Sequence, residues 1–230
     1  MKIYHLIIAT SLAIPSLIFT PNAEAHKHFN KVKNITSSEK ITNNVYEILK
    51  EKNYIHTSKK FSEALEVILH HEGGYVNHPK DPGGMTNLGV TKRVYEEWVG
   101  HEVDEDTMRG LTPEDVGPIY KKNYWDKIKG DQLPAGLDLC IFDFGVNAGP
   151  GRAAKYLQNM IGTVADGGIG PNTLKALALY EEEVGGVAEV VKEYQKRRQG
   201  YYESLSTFET FGRGWTRRTT ETTEAALKMI

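Results

Sequence analysis

The stretch Phe61-Ser62-Glu63-Ala64-Leu65-Glu66-Val67-Ile68-Leu69-His70-His71-Glu72-Gly73-Gly74 decides how the chain is read. Phe61, Ala64, Leu65, Ile68 and Leu69 fall at i, i+3, i+4, i+7 and i+8, one apolar stripe of a helix. Ser58 is placed to cap its start, and Gly73-Gly74 supply the permissive backbone that ends it. Glu72 therefore stands on the last helical turn. The carbonyls there carry partial negative charge and disfavour an ionised carboxyl by roughly 0.3–1 kcal/mol. Partial burial works in the same direction, toward the protonated form that a general acid needs.

The segment that follows, Tyr75 to Thr91, is too rich in Gly, Pro and Asn for a helix, and Asp81-Pro82-Gly83-Gly84 is a strong turn signal. Short runs on either side, Tyr75-Val76-Asn77 and Met85 to Val90, are expected to pair as a small hairpin. Such a hairpin would fold Asp81 and Thr86 back toward Glu72. Glycoside hydrolysis needs a protonated carboxyl on the leaving oxygen and a second polar group that manages water or the sugar cation. Glu72 and Asp81 are the nearest pair able to supply both, although an Asp in this position is also the ordinary first residue of a tight turn.

Helices continue downstream. Thr112-Pro113-Glu114-Asp115 is a good start signal, and Val116, Ile119, Tyr120 and Tyr124 keep helical spacing. Tyr120, Tyr124 and Trp125 are either core aromatics or rings that stack on sugars. Leu137, Cys140, Ile141 and Phe144 mark a mostly apolar helix, in which Cys140 reads as a small buried hydrophobe. Further helices are expected at Ala153 to Met160, from Leu174, and from Val187 to about Leu205.

The N-terminus carries Lys2, an apolar run from Leu6 to Phe19, and Ala23-Glu24-Ala25, the small-x-small pattern of a signal peptide cleaved before His26. The run is shorter than the roughly 20 residues of a membrane span, so an exported chain without stable membrane insertion is expected, an uncleaved anchor being the alternative. Residues 26–57 are rich in Lys, Asn, Ser and Thr and read as a basic linker with one short helix at Ile41 to Lys50. The formal charge of −2 gives no field for nucleic acid. With one cysteine there is neither a disulfide framework nor a Cys-based zinc site. His70, His71, His78 and Asp81 lack the i, i+4 pair around a carboxylate that zinc hydrolases use, so no metal and no cofactor is expected.

The run from His71-Glu72-Gly73-Gly74-Tyr75 through Asp81-Pro82-Gly83-Gly84-Met85-Thr86-Asn87-Leu88-Gly89-Val90-Thr91 resembles the signature of glycoside hydrolase family 108, bacterial and phage N-acetylmuramidases with a lysozyme-like helical fold. Tyr120-Lys121-Lys122-Asn123-Tyr124-Trp125, Phe142 to Gly149 and the closing Gly214-Trp215-Thr216-Arg217-Arg218 resemble later motifs of that family. Asp166-Gly167-Gly168-Ile169-Gly170-Pro171-Asn172-Thr173 resembles the Asp-Gly-x-x-Gly-Pro-x-Thr loop of peptidoglycan-binding domains.

The resemblance implies a mainly α, two-lobed lysozyme-like fold with a β-hairpin beside an active-site cleft. Downstream of the signal peptide at 1–25 and the linker at 26–57, it implies a catalytic domain at 58–149 and a peptidoglycan-binding-like helical domain at 150–230. That last region would act as the far wall of the cleft or as a free-standing binder of the wall. Glu72 would be the catalytic acid. A neighbouring family spaces its groups Glu-x8-Asp-x5-Thr, and Glu72, Asp81 and Thr86 match the first interval but fall one residue short in the second. Tyr75, Tyr124, Trp125 and Asn147 are the candidate substrate-binding residues. The expectation is a secreted or periplasmic monomer that cuts peptidoglycan glycan strands. A lytic transglycosylase and a non-catalytic wall-binding or secretion accessory protein are the alternatives.

Overall fold

The computed structural model describes residues 59–77 and 84–230. The leader, the linker, Ser58, His78 and the Asp81 turn lie outside the described residues. Helix α1 covers 59–72 and buries Phe61, Ala64, Leu65 and Ile68, the stripe read from the sequence. Gly73 ends it at φ +76°, a left-handed conformation that costs glycine little.

Beyond the loop, β1 (Thr86–Asn87) pairs with β2 (Val90–Thr91) in antiparallel register, Thr86 opposite Thr91 and Asn87 opposite Val90. The two turn residues, Leu88 and Gly89, both have positive φ, as a tight hairpin with right-twisted strands demands. Val76 bridges to Thr86 through a pair of backbone hydrogen bonds of 2.8 and 2.9 Å, so the expected pairing across the loop is present as a single bridge. The buried Asn87 amide then donates to the Met108 and Arg109 carbonyls, tying the hairpin to the next helices.

These are α2 (Lys92–Val99), α3 (Glu105–Arg109) and α4 (Pro113–Tyr120). α4 starts on a full capping box, Thr112 and Asp115 each satisfying the other's backbone N–H, with Pro113 at the first helical position. Past Tyr120 the chain widens into a π turn over Lys121–Trp125, and Asp126 N–H reaches back to the Lys121 carbonyl.

Helix α5 (Leu137–Ala148) is buried on every side from Leu137 to Gly145, which a helix does only at the centre of a domain. Helices α6 (Pro150–Met160), α8 (Val187–Glu203) and α9 (Phe208–Lys228) pack on it, while α7 (Pro171–Val184) supports α8. Phe142 and Phe144, both fully buried, each contribute about 1.5–3 kcal/mol of transfer free energy there. Residues on both sides of Gly149 thus share one hydrophobic core within a single compact unit, His56–Ile230. Mainly helical with one small hairpin, the architecture agrees with the expected lysozyme-like class. Among the described residues no helix is long and apolar enough to cross a membrane.

Three elements depart from expectation. α6 begins at Pro150, three residues before Ala153, and α7 at Pro171, three residues before Leu174, because a proline ring sets φ for a first turn. The segment around Gly212 and Gly214 is helical, inside the 21-residue α9. At Gly212 a Cβ would sit 2.7 Å from the Phe208 ring, so this glycine makes room for an aromatic ring one turn earlier.

Candidate functional site

Glu72 ends α1 with its side chain one-fifth exposed. One carboxyl oxygen, Oε1, accepts a 2.7 Å hydrogen bond from Arg218 Nη2, which arrives from α9. The same Nη2 donates to Asp143 Oδ1 at 2.7 Å, and Arg218 Nε donates to that oxygen at 2.9 Å. Asp143 lies in the middle of α5 with no exposed surface. Its other oxygen, Oδ2, accepts from Arg198 Nη2 and from Thr222 Oγ1. Glu72, Arg218, Asp143 and Arg198 thus form a row of alternating charges whose formal sum is zero, which is how a carboxylate is accommodated inside a protein.

The electrostatics follow from that row. Burial alone would raise the Asp143 carboxyl, but Arg198 and Arg218 outweigh it and hold Asp143 below the usual carboxylate range. Burial opposes the Arg218 charge, yet Asp143 and Glu72 together keep its affinity for the proton above that of a free guanidinium. The negative helix end at Glu72, read from the sequence as favouring a neutral carboxyl, is answered here by a cation.

The second oxygen, Oε2, faces the hairpin. A Cβ built on Gly89 would come within 3.0 Å of Glu72 Oε2 and would overlap the Tyr120 hydroxyl. Gly89, at φ +74°, therefore leaves the space in which that oxygen stands. Tyr120 donates to the Leu88 carbonyl at 3.0 Å, which fixes the turn over the carboxyl. Burial raises both Tyr120 and Tyr124, and the Glu72 charge raises them further, so both phenols stay protonated and can act as donors. The π turn lets consecutive residues diverge: Tyr124 is half-buried in the field of Glu72, while Trp125 turns into the core.

Of the expected site residues, Glu72 and Tyr124 are linked by the field of the Glu72 charge at the Tyr124 phenol. Trp125 does not join them. It has no exposed surface, packs edge-on against Phe61 and Phe142, and donates through Nε1 to Asp131, so it has no face left for a sugar. Tyr75 is half-buried, bonded to Glu105 Oε1 at 3.0 Å and covered on one face by the Arg109 guanidinium. Asn147 is exposed in the last turn of α5. Among the described residues no hydrogen bond joins Asn147 or Thr86 to Glu72, and Asp81 lies outside them. Arg218, Asp143, Arg198 and Gly89 are the participants that sequence reasoning missed. One signal for them existed: an Asp inside the apolar run Ile141 to Val146 demands a buried cation from elsewhere.

The family model described as "Glycosyl hydrolase 108" matches residues 65–149, and the one described as "Predicted Peptidoglycan domain" matches residues 152–220. No curated protein matches significantly. The solved structure of Brucella abortus SagA is similar at 39% sequence identity and a TM-score of 0.63, covering 75% of this chain and 96% of that one.

Proposed function

This chain belongs to the glycosyl hydrolase 108 family, and on that premise we propose that it cuts the β-1,4 bond between N-acetylmuramic acid and N-acetylglucosamine in peptidoglycan, with Glu72 as general acid. It does so outside the cytoplasm, after loss of residues 1–25. The observation that carries this reading is the asymmetry of the Glu72 carboxyl. Oε1 is engaged by Arg218, and Oε2 stands in the space that Gly89 leaves open. The oxygen free of Arg218 is the one able to carry a proton to a glycosidic oxygen. Once the proton is given, the Arg218 guanidinium is in place to stabilise the carboxylate left behind.

The test is release of soluble muropeptides from purified sacculi, with mass spectrometry of the new ends. Reducing N-acetylmuramic acid ends are expected. Glu72→Gln keeps size and hydrogen bonding but removes the transferable proton, so activity should fall by about 10²–10⁴-fold with the fold intact. Anhydro sugar ends would replace this reading with the transglycosylase. No release at all would leave the accessory role.

A further inference from the structure

We propose that Phe211 and Trp215, on α9, form an aromatic platform that holds the glycan strand beside Glu72. The inference deepens the hydrolase reading and rests on it. Phe211, Trp215 and Arg218 occupy positions i, i+4 and i+7, so they share one flank of α9 and span about 10 Å along it. Arg218 marks the catalytic end of that line through its bond to Glu72 Oε1. The two rings lead away from it.

Their surroundings fit a binding surface. Trp215 stacks on Tyr202 of α8 with ring centres 5.2 Å apart and planes at 23°, so a buried ring backs it and holds it still. Phe211 leans on Trp215 at 5.7 Å and is 54% exposed, among the most exposed large apolar side chains described. An exposed ring on a helix surface contributes little to folding, and burying it would return its apolar area. Gly214 lies on the same flank, and a Cβ built there would meet nothing within 4 Å, so the helix surface between the two rings and Arg218 is open at that position. A pyranose ring presents an apolar face of axial C–H bonds ringed by polar hydroxyls, which an aromatic face held rigidly from behind can receive. The occupant is fixed by continuity: a surface that runs from the catalytic carboxyl along one helix takes further sugars of the strand being cut.

The experiment separates binding from hydrolysis. Soluble peptidoglycan glycan strands are titrated against the full chain carrying Glu72→Gln, and dissociation constants are measured with and without Phe211→Ala. Binding should weaken by about 3- to 10-fold. Phe211→Tyr, which restores a ring, should return it to within about twofold, and Leu179→Ala, at an equally exposed apolar site on α7, should leave it unchanged. In the active chain, Phe211→Ala should raise KM for long strands and leave kcat unchanged. Unaltered binding by Phe211→Ala, or an equal loss from Leu179→Ala, overturns the platform even if sacculi are hydrolysed. Phe211-dependent binding by a chain that hydrolyses nothing would sustain the platform and remove the hydrolase reading.

Discussion

Arg218 and Glu72 are 146 residues apart in sequence and 2.7 Å apart in space. The carboxyl comes from the first family-model region and the guanidinium from the second. The same division holds one step deeper, where Asp143 of the first region meets Arg198 of the second. Each negative charge of the row is therefore supplied by one half of the folded unit and each positive charge by the other. Neither half can keep its buried charges without its partner, and the orientation of Glu72 depends on helices that a domain map would assign to wall binding.

Arg218→Lys tests the orienting role. Lysine keeps the charge but offers one nitrogen in place of the fork that grips Asp143 through two and Glu72 through one of them. Hydrolysis of sacculi should fall by about 10- to 100-fold, the scale expected when a reacting group is misplaced. The stability loss should be smaller than for Arg198→Met, which leaves Asp143 facing an apolar neighbour in a site with no exposed surface and costs about 3–5 kcal/mol. Urea unfolding of the two variants side by side makes the comparison. An Arg218→Lys enzyme of normal activity would reduce Arg218 to a structural link.

Gly89→Ala should disturb the site from the hairpin side. Alanine at φ +74° costs about 1–2 kcal/mol in backbone strain, and its methyl meets both the Tyr120 hydroxyl and Glu72 Oε2. Activity should drop by more than about tenfold, out of proportion to the loss in melting temperature. The pair Gly89→Ala with Tyr120→Phe should cost less than the sum of the two, because the first clash is with the hydroxyl that Phe lacks. Additive losses in stability would mean that the two residues do not meet.

What could be read from the sequence was local. The α1 stripe, the stop at Gly73, the Thr112 cap and the buried α5 all follow from periodicity and capping chemistry. Four features escaped because their cause is distant or atypical. A positive φ at Leu88 has no propensity behind it and is imposed by the hairpin and by Tyr120. Gly212 and Gly214 argue against a helix, yet α9 runs through them because tertiary packing outweighs about 1 kcal/mol per glycine. Trp125 and Tyr124 are neighbours with opposite fates, and only the π turn separates them. The charge row was the hardest to foresee, since nothing near Glu72 in the sequence points to residue 218.

Acid should weaken the fold in two steps. Burial, aided by Arg218, holds His71 below its ordinary 6.5 against the pull of Asp143 and Glu221. The unfolded chain then takes up a proton at this residue before the folded one does. Stability is lost as pH falls from about 7 through the ordinary histidine value. Asp143, held below the usual range by Arg198 and Arg218, contributes stability that is complete above about pH 4 and is lost as pH falls through its folded value. Melting temperatures from pH 8 to 3 should show both declines. His71→Gln should flatten the upper one alone. A melting temperature that rises on acidification to about pH 5.5 would contradict the His71 assignment.

Dividing the chain between Gly149 and Pro150 puts the shared core to its hardest test. A fragment that ends at Gly149 loses α6, α8 and α9, and with them the cover over α5. Phe144 would lose the rings of Tyr156, Tyr194, Tyr201 and Tyr202 around it. Asp143 would lose Arg198, Arg218 and Thr222 together, leaving a carboxylate without a counter-charge in the apolar stretch from Leu139 to Val146. Neither loss can be met by local adjustment, because the missing groups all lie beyond residue 149. The fragment should therefore be insoluble or unfolded by circular dichroism and inactive on sacculi. Replacing Asp143 by Leu should not rescue it, since the apolar face stays bare. Co-expression of the two pieces should restore a soluble complex and some activity, because the charges and rings can meet again without a peptide bond. A soluble, active fragment ending at Gly149 would mean that Glu72 works without Arg218, and that residues 150–230 form an independent module.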